Sequence, residues 1–204
     1  MKKLFLMLAA IFMATAVYAG EAAVLEKQRQ LLQLLADFEL DKALELLHPE
    51  YVEVDTDGGV TTRDKAVMIA ELYKITQKIM AGNAKLSDFM LLVTVASGRE
   101  VTAEMRQQFL AMDNAPDAAE KLALIRGQVM PYMTQYNNLL ATLKSQMQSA
   151  LNTYKVISCA VNGSEAKVIY EIREIDSEKI EIREADWIKV DGKWLCKKEV
   201  CRYK

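Results

Sequence analysis

Two tight-turn dipeptides near the C-terminus, Asn162-Gly163 and Asp191-Gly192, each interrupt a run of alternating apolar and polar residues. Such pairs close two-residue hairpins because their central positions accept positive φ. They divide the end of the chain into four strands: Tyr154 to Val161, Glu165 to Ile175, Lys179 to Val190 and Lys193 to Tyr203. In the second strand Ala166, Val168, Tyr170 and Ile172 share one face, as the two-residue period of a strand requires. The chain must therefore bury one face of an antiparallel meander against another layer.

The rest of the sequence supplies helices for that layer. Leu25, Leu31, Leu32, Leu34, Leu35 and Phe38 recur at helical spacing within Glu21 to Phe38. Asp41 is placed to cap a second, short helix carrying Leu40, Ala43, Leu44 and Leu47, stopped by Pro49. Tyr51 to Asp55 reads as a strand, Thr56 to Gly59 as a turn and Val60 to Thr62 as the return strand. Thr62 then caps a third helix running to about Met80 and ending at Gly82. From Asn83 to Asn152 the pattern is mainly helical: Ser87 to Ser97 suits a helix closed by Gly98, although Val93, Thr94 and Val95 also suit a strand, and Ala103 to Met112 follows behind a Thr102 cap. A long stretch to Leu151 follows, in which Pro131 is expected to kink or split the helix.

The N-terminus reads as an address. Lys2 and Lys3 precede an uncharged apolar run from Leu4 to Val17, and Val17-Tyr18-Ala19 offers compact residues to a signal peptidase. Residues 1–19 are expected to be a cleaved signal peptide, with a periplasmic or secreted product. Loss of the two lysines leaves 24 basic and 28 acidic residues, a formal charge of −4. That mild acidity gives no attraction to nucleic acid. No later segment is apolar and long enough for a stable membrane span.

The order of elements resembles that of the nuclear transport factor 2-like superfamily, which includes SnoaL-like cyclases and ketosteroid isomerase-like domains. Leu47-His48-Pro49-Glu50-Tyr51-Val52-Glu53-Val54-Asp55, with Asp57-Gly58 and Thr62-Arg63-Asp64, is similar to that group's passage from second to third helix. Trp187-Ile188-Lys189-Val190-Asp191-Gly192-Lys193-Trp194 is similar to its last hairpin. The resemblance implies an α+β fold: a cone-shaped, curved antiparallel sheet covered by helices, enclosing a pocket. Residues 20–204 would form one such domain, with 83–152 as a helical insertion between the third helix and the meander. It implies a ligand pocket to which Tyr73, Tyr170, Glu184, Asp186 and Trp187 would contribute, and a homodimer, since the superfamily commonly forms them.

Catalytic carboxylates are few. Asp55 or Asp57 matches the place of the isomerase base, but the first helix has no Tyr to complete an oxyanion hole, which removes the dominant electrostatic contribution. Both aspartates also suit simple turn formation. Ile180, Ile182, Glu184, Asp186, Ile188 and Val190 share one face of the third meander strand, which would aim Glu184 and Asp186 inward as a carboxylate pair. The competing reading puts Ala185 and Trp187 inside, through a bulge or face switch, because a buried Trp contributes more to packing. It is the preferred one.

His48 is the sole histidine, and Cys159, Cys196 and Cys201 show no paired metal-ligand spacing, so neither a metal site nor a cofactor is expected. The cysteines are expected to be reduced and mostly buried. The eight methionines beyond the leader all fall on predicted helices, where core filling competes with a groove for an apolar ligand. Together these readings lead to an exported, non-catalytic domain that binds an apolar small molecule or a protein partner. The alternative is a cyclase, isomerase or dehydratase using the pocket carboxylates.

Overall fold

The computed structural model describes residues 20–175 and 177–204; the expected leader, 1–19, lies outside them. Helix α1 covers 20–36, α2 Leu40–Leu44, β1 Leu47–Val54, β2 Val60–Thr62 and α3 Arg63–Met80. Then come α4 Leu86–Ala96, α5 Ala103–Met112, α6 Ala118–Leu151 and strands β3 Lys155–Asn162, β4 Glu165–Arg173, β5 Ile180–Val190 and β6 Lys193–Tyr203. The chain divides into two compact units, one formed by residues up to Val67 together with Leu143–Lys204, the other by Met68–Thr142. Helices α3 and α6 belong partly to each.

The first unit is α+β. Its six strands form one curved, unclosed sheet in the order β2-β1-β6-β5-β4-β3. All pairs but one are antiparallel. The exception is β1, which lies parallel to β6, because the chain crosses from one to the other through helices rather than a hairpin. Register irregularities in β1 between Leu47 and Val52, near Val156 and at Lys197 bend the sheet.

Both hairpin signals act, with one shift of position. Asp191 and Gly192 both have positive φ (49° and 81°) and join Val190 to Lys193, as a type I′ turn needs. In the other hairpin Asn162 pairs with Glu165, so the loop is Gly163-Ser164 and Gly163 alone takes the positive φ, 63°. Strand β1 starts at Leu47, four residues earlier than expected, since α2 is a single turn ending at Leu44. The α2 cap position is Glu39, without a side-chain cap, rather than Asp41.

One sheet face carries the core. Val24, Leu31 and Leu32 of α1 pack with Tyr51, Val168, Tyr170, Ala185, Trp187, Trp194 and Cys196, flanked by Leu151 at the end of α6. Fully burying each of these large apolar side chains contributes roughly 1.5–3 kcal/mol. Among the described residues the three cysteines are unbridged; β4 and β5 separate Cys159 on β3 from the two on β6.

The second unit is helical and has its own core, which includes Ile75, Ile79, Ala84, Phe89, Leu91, Phe109 and Met133. Thr102 caps α5 as expected, its hydroxyl oxygen accepting from the Met105 amide at 3.2 Å. Ser87 donates from amide and hydroxyl to the Asp113 carboxylate, at 2.9 and 2.7 Å. Arg106 forms a two-pronged ion pair with Glu71 at 2.5 and 2.8 Å, and Arg126 donates to the Gly82 carbonyl. Pro131 lies inside α6 without splitting it.

Candidate functional site

Along β5 the period of two is unbroken, and it is the odd-numbered face that turns inward. Ala185 and Trp187 are buried at 0% and 2% exposure, so the preferred sequence reading holds in its result. Its stated device does not: the irregularity falls on β6, where Asp186 pairs with Lys198 and Trp187 with Cys196, leaving Lys197 as the extra residue. The opposite face, with Ile182, Glu184, Asp186 and Ile188, is only partly covered.

On that opposite face lies a groove of about 840 Å³, bordered by strands β1, β6, β5, β4 and β3. Val52 and Val54, Ala160 and Ile188 give it apolar walls, and Lys167, Lys198, Glu165 and Asp186 a charged rim. Much of the rim is internally paired. Lys167 reaches Asp186 at 3.4 Å and Glu184 at 3.5 Å, and Lys197 reaches Glu50 at 3.4 Å. Asp186 first, then Glu184, holds the Lys167 ammonium above its ordinary pKa. Glu184 also faces Arg202 at 3.6 Å.

The inward face holds a second assembly. Adjacent strands bring Glu53 of β1, Glu199 and Cys201 of β6, Arg183 of β5 and Tyr170 of β4 to one level, since Glu53 is in register with Glu199, Arg183 with Cys201 and Tyr170 with Arg183. Arg183 donates from Nε to Glu181 at 2.7 Å and from Nη1 to Glu199 at 2.9 Å and Glu53 at 3.3 Å. The Tyr170 hydroxyl donates to Glu199 at 2.6 Å, and Tyr51 reaches Glu53 at 3.5 Å.

Protonation there follows burial. Desolvation, then the Glu199 charge, raises the Glu53 carboxyl above its ordinary range, against the pull of Arg183. Burial raises both tyrosines and pushes the Cys201 thiol up to about 12. Burial also works against the Arg183 charge, but Glu199 and its neighbours outweigh that and keep it protonated. Glu53, Glu199 and Cys201 place three ligand-type atoms within 4.8 Å of one another. They do not suit a metal ion: Arg183 already supplies the cation, and the thiol would have to give up a firmly held proton. The assembly sets one guanidinium among three carboxylates, Glu53, Glu181 and Glu199. A small cavity of about 100 Å³ beside Glu181 and Arg183 is walled by Leu32, Leu35, Met147 and Leu151.

The sequence-derived pocket set is dispersed by this arrangement. Tyr170 and Trp187 belong to the core, where Trp187 Nε1 donates to Gln28 Oε1 at 2.8 Å. Glu184 and Asp186 lie on the other face, and Asp186 and Trp187 alone of the five border the groove. Tyr73 lies on α3 in the helical unit. Asp55 and Asp57 shape the turn: Asp55 Oδ1 accepts from the Thr56 amide and Asp57 Oδ1 from the Gly59 amide, both at 2.7 Å. His48 Nδ1 accepts from the Glu50 amide at 3.1 Å.

Sequence reasoning missed Glu53, Glu181, Arg183 and Glu199. Two signals pointed to them. Trp187 marks the inner face of β5, which then contains Glu181 and Arg183. On β6, Trp194 and Cys196 fall out of phase with Glu199 and Cys201 unless one residue bulges.

No protein-family model matches the chain, and no curated protein does. Solved structures do. The chain is similar to an NTF2-like protein of unknown function from Silicibacter pomeroyi DSS-3, at 11% identity over 92% of this chain and 98% of that one, with a TM-score of 0.42. An NTF2-like protein from Cytophaga hutchinsonii ATCC 33406 aligns at 9% identity over 90% and 97%, with a TM-score of 0.40. Another, of unknown function, from Pseudomonas putida KT2440 aligns at 7% over 91% and 87%, also with a TM-score of 0.40.

Proposed function

We propose that the chain is an exported, non-catalytic binding domain that holds an apolar small molecule in the groove on the partly covered sheet face. The groove volume carries this reading: about 840 Å³ lies within the range of small-molecule sites, with apolar walls inside a charged rim. The paired rim charges leave the walls as the main source of affinity. Acid/base catalysis is the weaker reading. Asp55 and Asp57 are spent on the turn, Glu184 and Asp186 on Lys167, and the Glu53 carboxyl, whose protonation is shifted, is tied to Arg183 on the other face.

Export is supported by the basic, apolar and compact-residue succession of residues 1–19. It predicts a mature N-terminus at Gly20, read by N-terminal sequencing of the exported fraction.

Binding is tested with the neutral fluorophore N-phenyl-1-naphthylamine. The unaltered chain is expected to enhance its emission saturably. Ala160→Trp together with Val54→Glu, which fills and charges the groove, is expected to weaken binding at least about 10-fold, equivalent to about 1.4 kcal/mol. Val93→Glu, an exposed change in the helical unit, should leave it unaltered. Absent enhancement, or equal enhancement in the groove variant, rejects the reading.

A further inference from the structure

Strand register orders the charges of the groove into rows. One row crosses five strands: Ala160 on β3, Lys167 on β4, Asp186 on β5, Lys198 on β6 and Val52 on β1. The next row on the same face sets Glu184 of β5 beside Val200 of β6 and Val54 of β1. Arg202 of β6 follows one row on, in register with Ile182. Two carboxylates, Asp186 and Glu184, thus lie among three cations, Lys167, Lys198 and Arg202.

The carboxylates are unequally shared. Lys167 holds Asp186 at 3.4 Å and Glu184 at 3.5 Å, and Arg202 reaches Glu184 at 3.6 Å. Lys197, the bulged residue, is paired with Glu50 at 3.4 Å. Among the described residues Lys198 takes part in no ion pair. Glu165, the remaining acid of the groove, lies two strands away on β4, about 10 Å at the spacing of a sheet, and one row farther along. The surplus charge is therefore positive and local. It stands against an apolar wall, with Val52 as its register neighbour and Val54 two residues along the same face. Beside such a wall an ammonium attracts an anion more strongly than it does in bulk water. A carboxylate set against Lys198 leaves its alkyl tail along Val52 and Val54, whereas a cationic head there meets like charge. A bare inorganic anion leaves the walls unused.

We infer that the groove takes a single-chain amphiphile with a carboxylate head, a free alkanoate, whose head lies against the Lys198 ammonium and whose tail lies along the apolar walls. The inference rests on the groove reading proposed above and adds the head group to it. Lys198 is then the residue that determines specificity, while the walls supply most of the affinity.

Isothermal titration calorimetry with decanoate, 1-decanol and decyltrimethylammonium tests this at about pH 8, where a carboxylic acid is ionised. The neutral alcohol reports the walls alone. Decanoate and decanol are expected to bind, and the cationic probe to bind weakest. Lys198→Gln is expected to weaken decanoate at least about 5-fold, equivalent to about 1 kcal/mol, and to leave decanol unaltered. Lys198→Arg keeps the cation and is expected to retain decanoate. Lys193→Gln, an exposed change at the β5–β6 turn outside the groove, removes the same net charge and is expected to alter neither. Decanoate binding that survives Lys198→Gln overturns the inference and leaves the groove reading intact, because the walls still hold decanol. Equal loss of both ligands in Lys198→Gln also overturns it, since the lysine then acts by shaping the strand. So does binding of phosphatidylglycerol vesicles in place of decanoate, since the anion is then read on a lipid surface. Failure of every probe to bind rejects the groove reading itself, and the inference with it.

Discussion

Glu53 shows how a single position answers to both burial and charge. It faces Arg183 at 3.3 Å, yet Glu199 accepts from the same Nη1 at 2.9 Å and Glu181 takes Nε. One guanidinium thus serves three carboxylates, and Glu53 is the least compensated, its pKa raised by desolvation and then by Glu199. The sign of the pH effect follows. A carboxyl whose folded pKa exceeds its unfolded one binds its proton more tightly in the native state. Its favourable contribution is complete below the unfolded value of 4.5 and is lost as pH rises through the folded value. Glu53→Gln removes that dependence. The variant is expected to match the unaltered chain in urea midpoint at about pH 4 and to exceed it at about pH 7.5. A variant less stable at the higher pH would show that attraction to Arg183 outweighs burial.

At the level of elements, the sequence was legible where local chemistry dominates. Val60–Thr62, Ala103–Met112 and Lys193–Tyr203 fall where turn residues and caps put them. It was misleading where tertiary pairing overrides local preference. Leu47 and His48 continue a helical apolar pattern, but pairing of Leu47 with Cys196 draws them into β1. On β5, Ala185 and Trp187 marked the odd face as internal against the isoleucines at 180, 182 and 188, but nothing in that pattern placed Glu181 and Arg183 on the same inner face, where they pair at 2.7 Å. An ion pair along one face of a strand has no signature in a hydrophobic period. The α5 cap supplies the prediction at this scale. Thr102→Ala removes the acceptor for the Met105 amide and is expected to cost about 1 kcal/mol of helical-unit stability. Hydrogen exchange should accelerate first at residues 103–106; unchanged exchange there would show that the cap is not used in solution.

Across the whole molecule, two apolar cores with no residue in common raise the question of whether the chain unfolds as one. The compact units divide inside α3 and α6, at Val67 and Thr142, because both helices lend one stretch to each core. The sequence hid this since an amphipathic period continues through such a boundary unchanged. The two tryptophans offer a way to separate the cores. Trp187 and Trp194 both lie in the sheet unit, so their fluorescence reports that unit, while far-ultraviolet circular dichroism reports helices in both. Phe109→Ala opens a void in the helical core at a cost of about 3–5 kcal/mol. If each core sustains its own cooperative unit, the dichroism transition in urea moves to lower concentration and the fluorescence transition stays. The expected outcome is that separation. Coincident movement of both signals would mean that α3 and α6 transmit the loss from one core to the other, and that the sheet unit depends on the helical one for its stability.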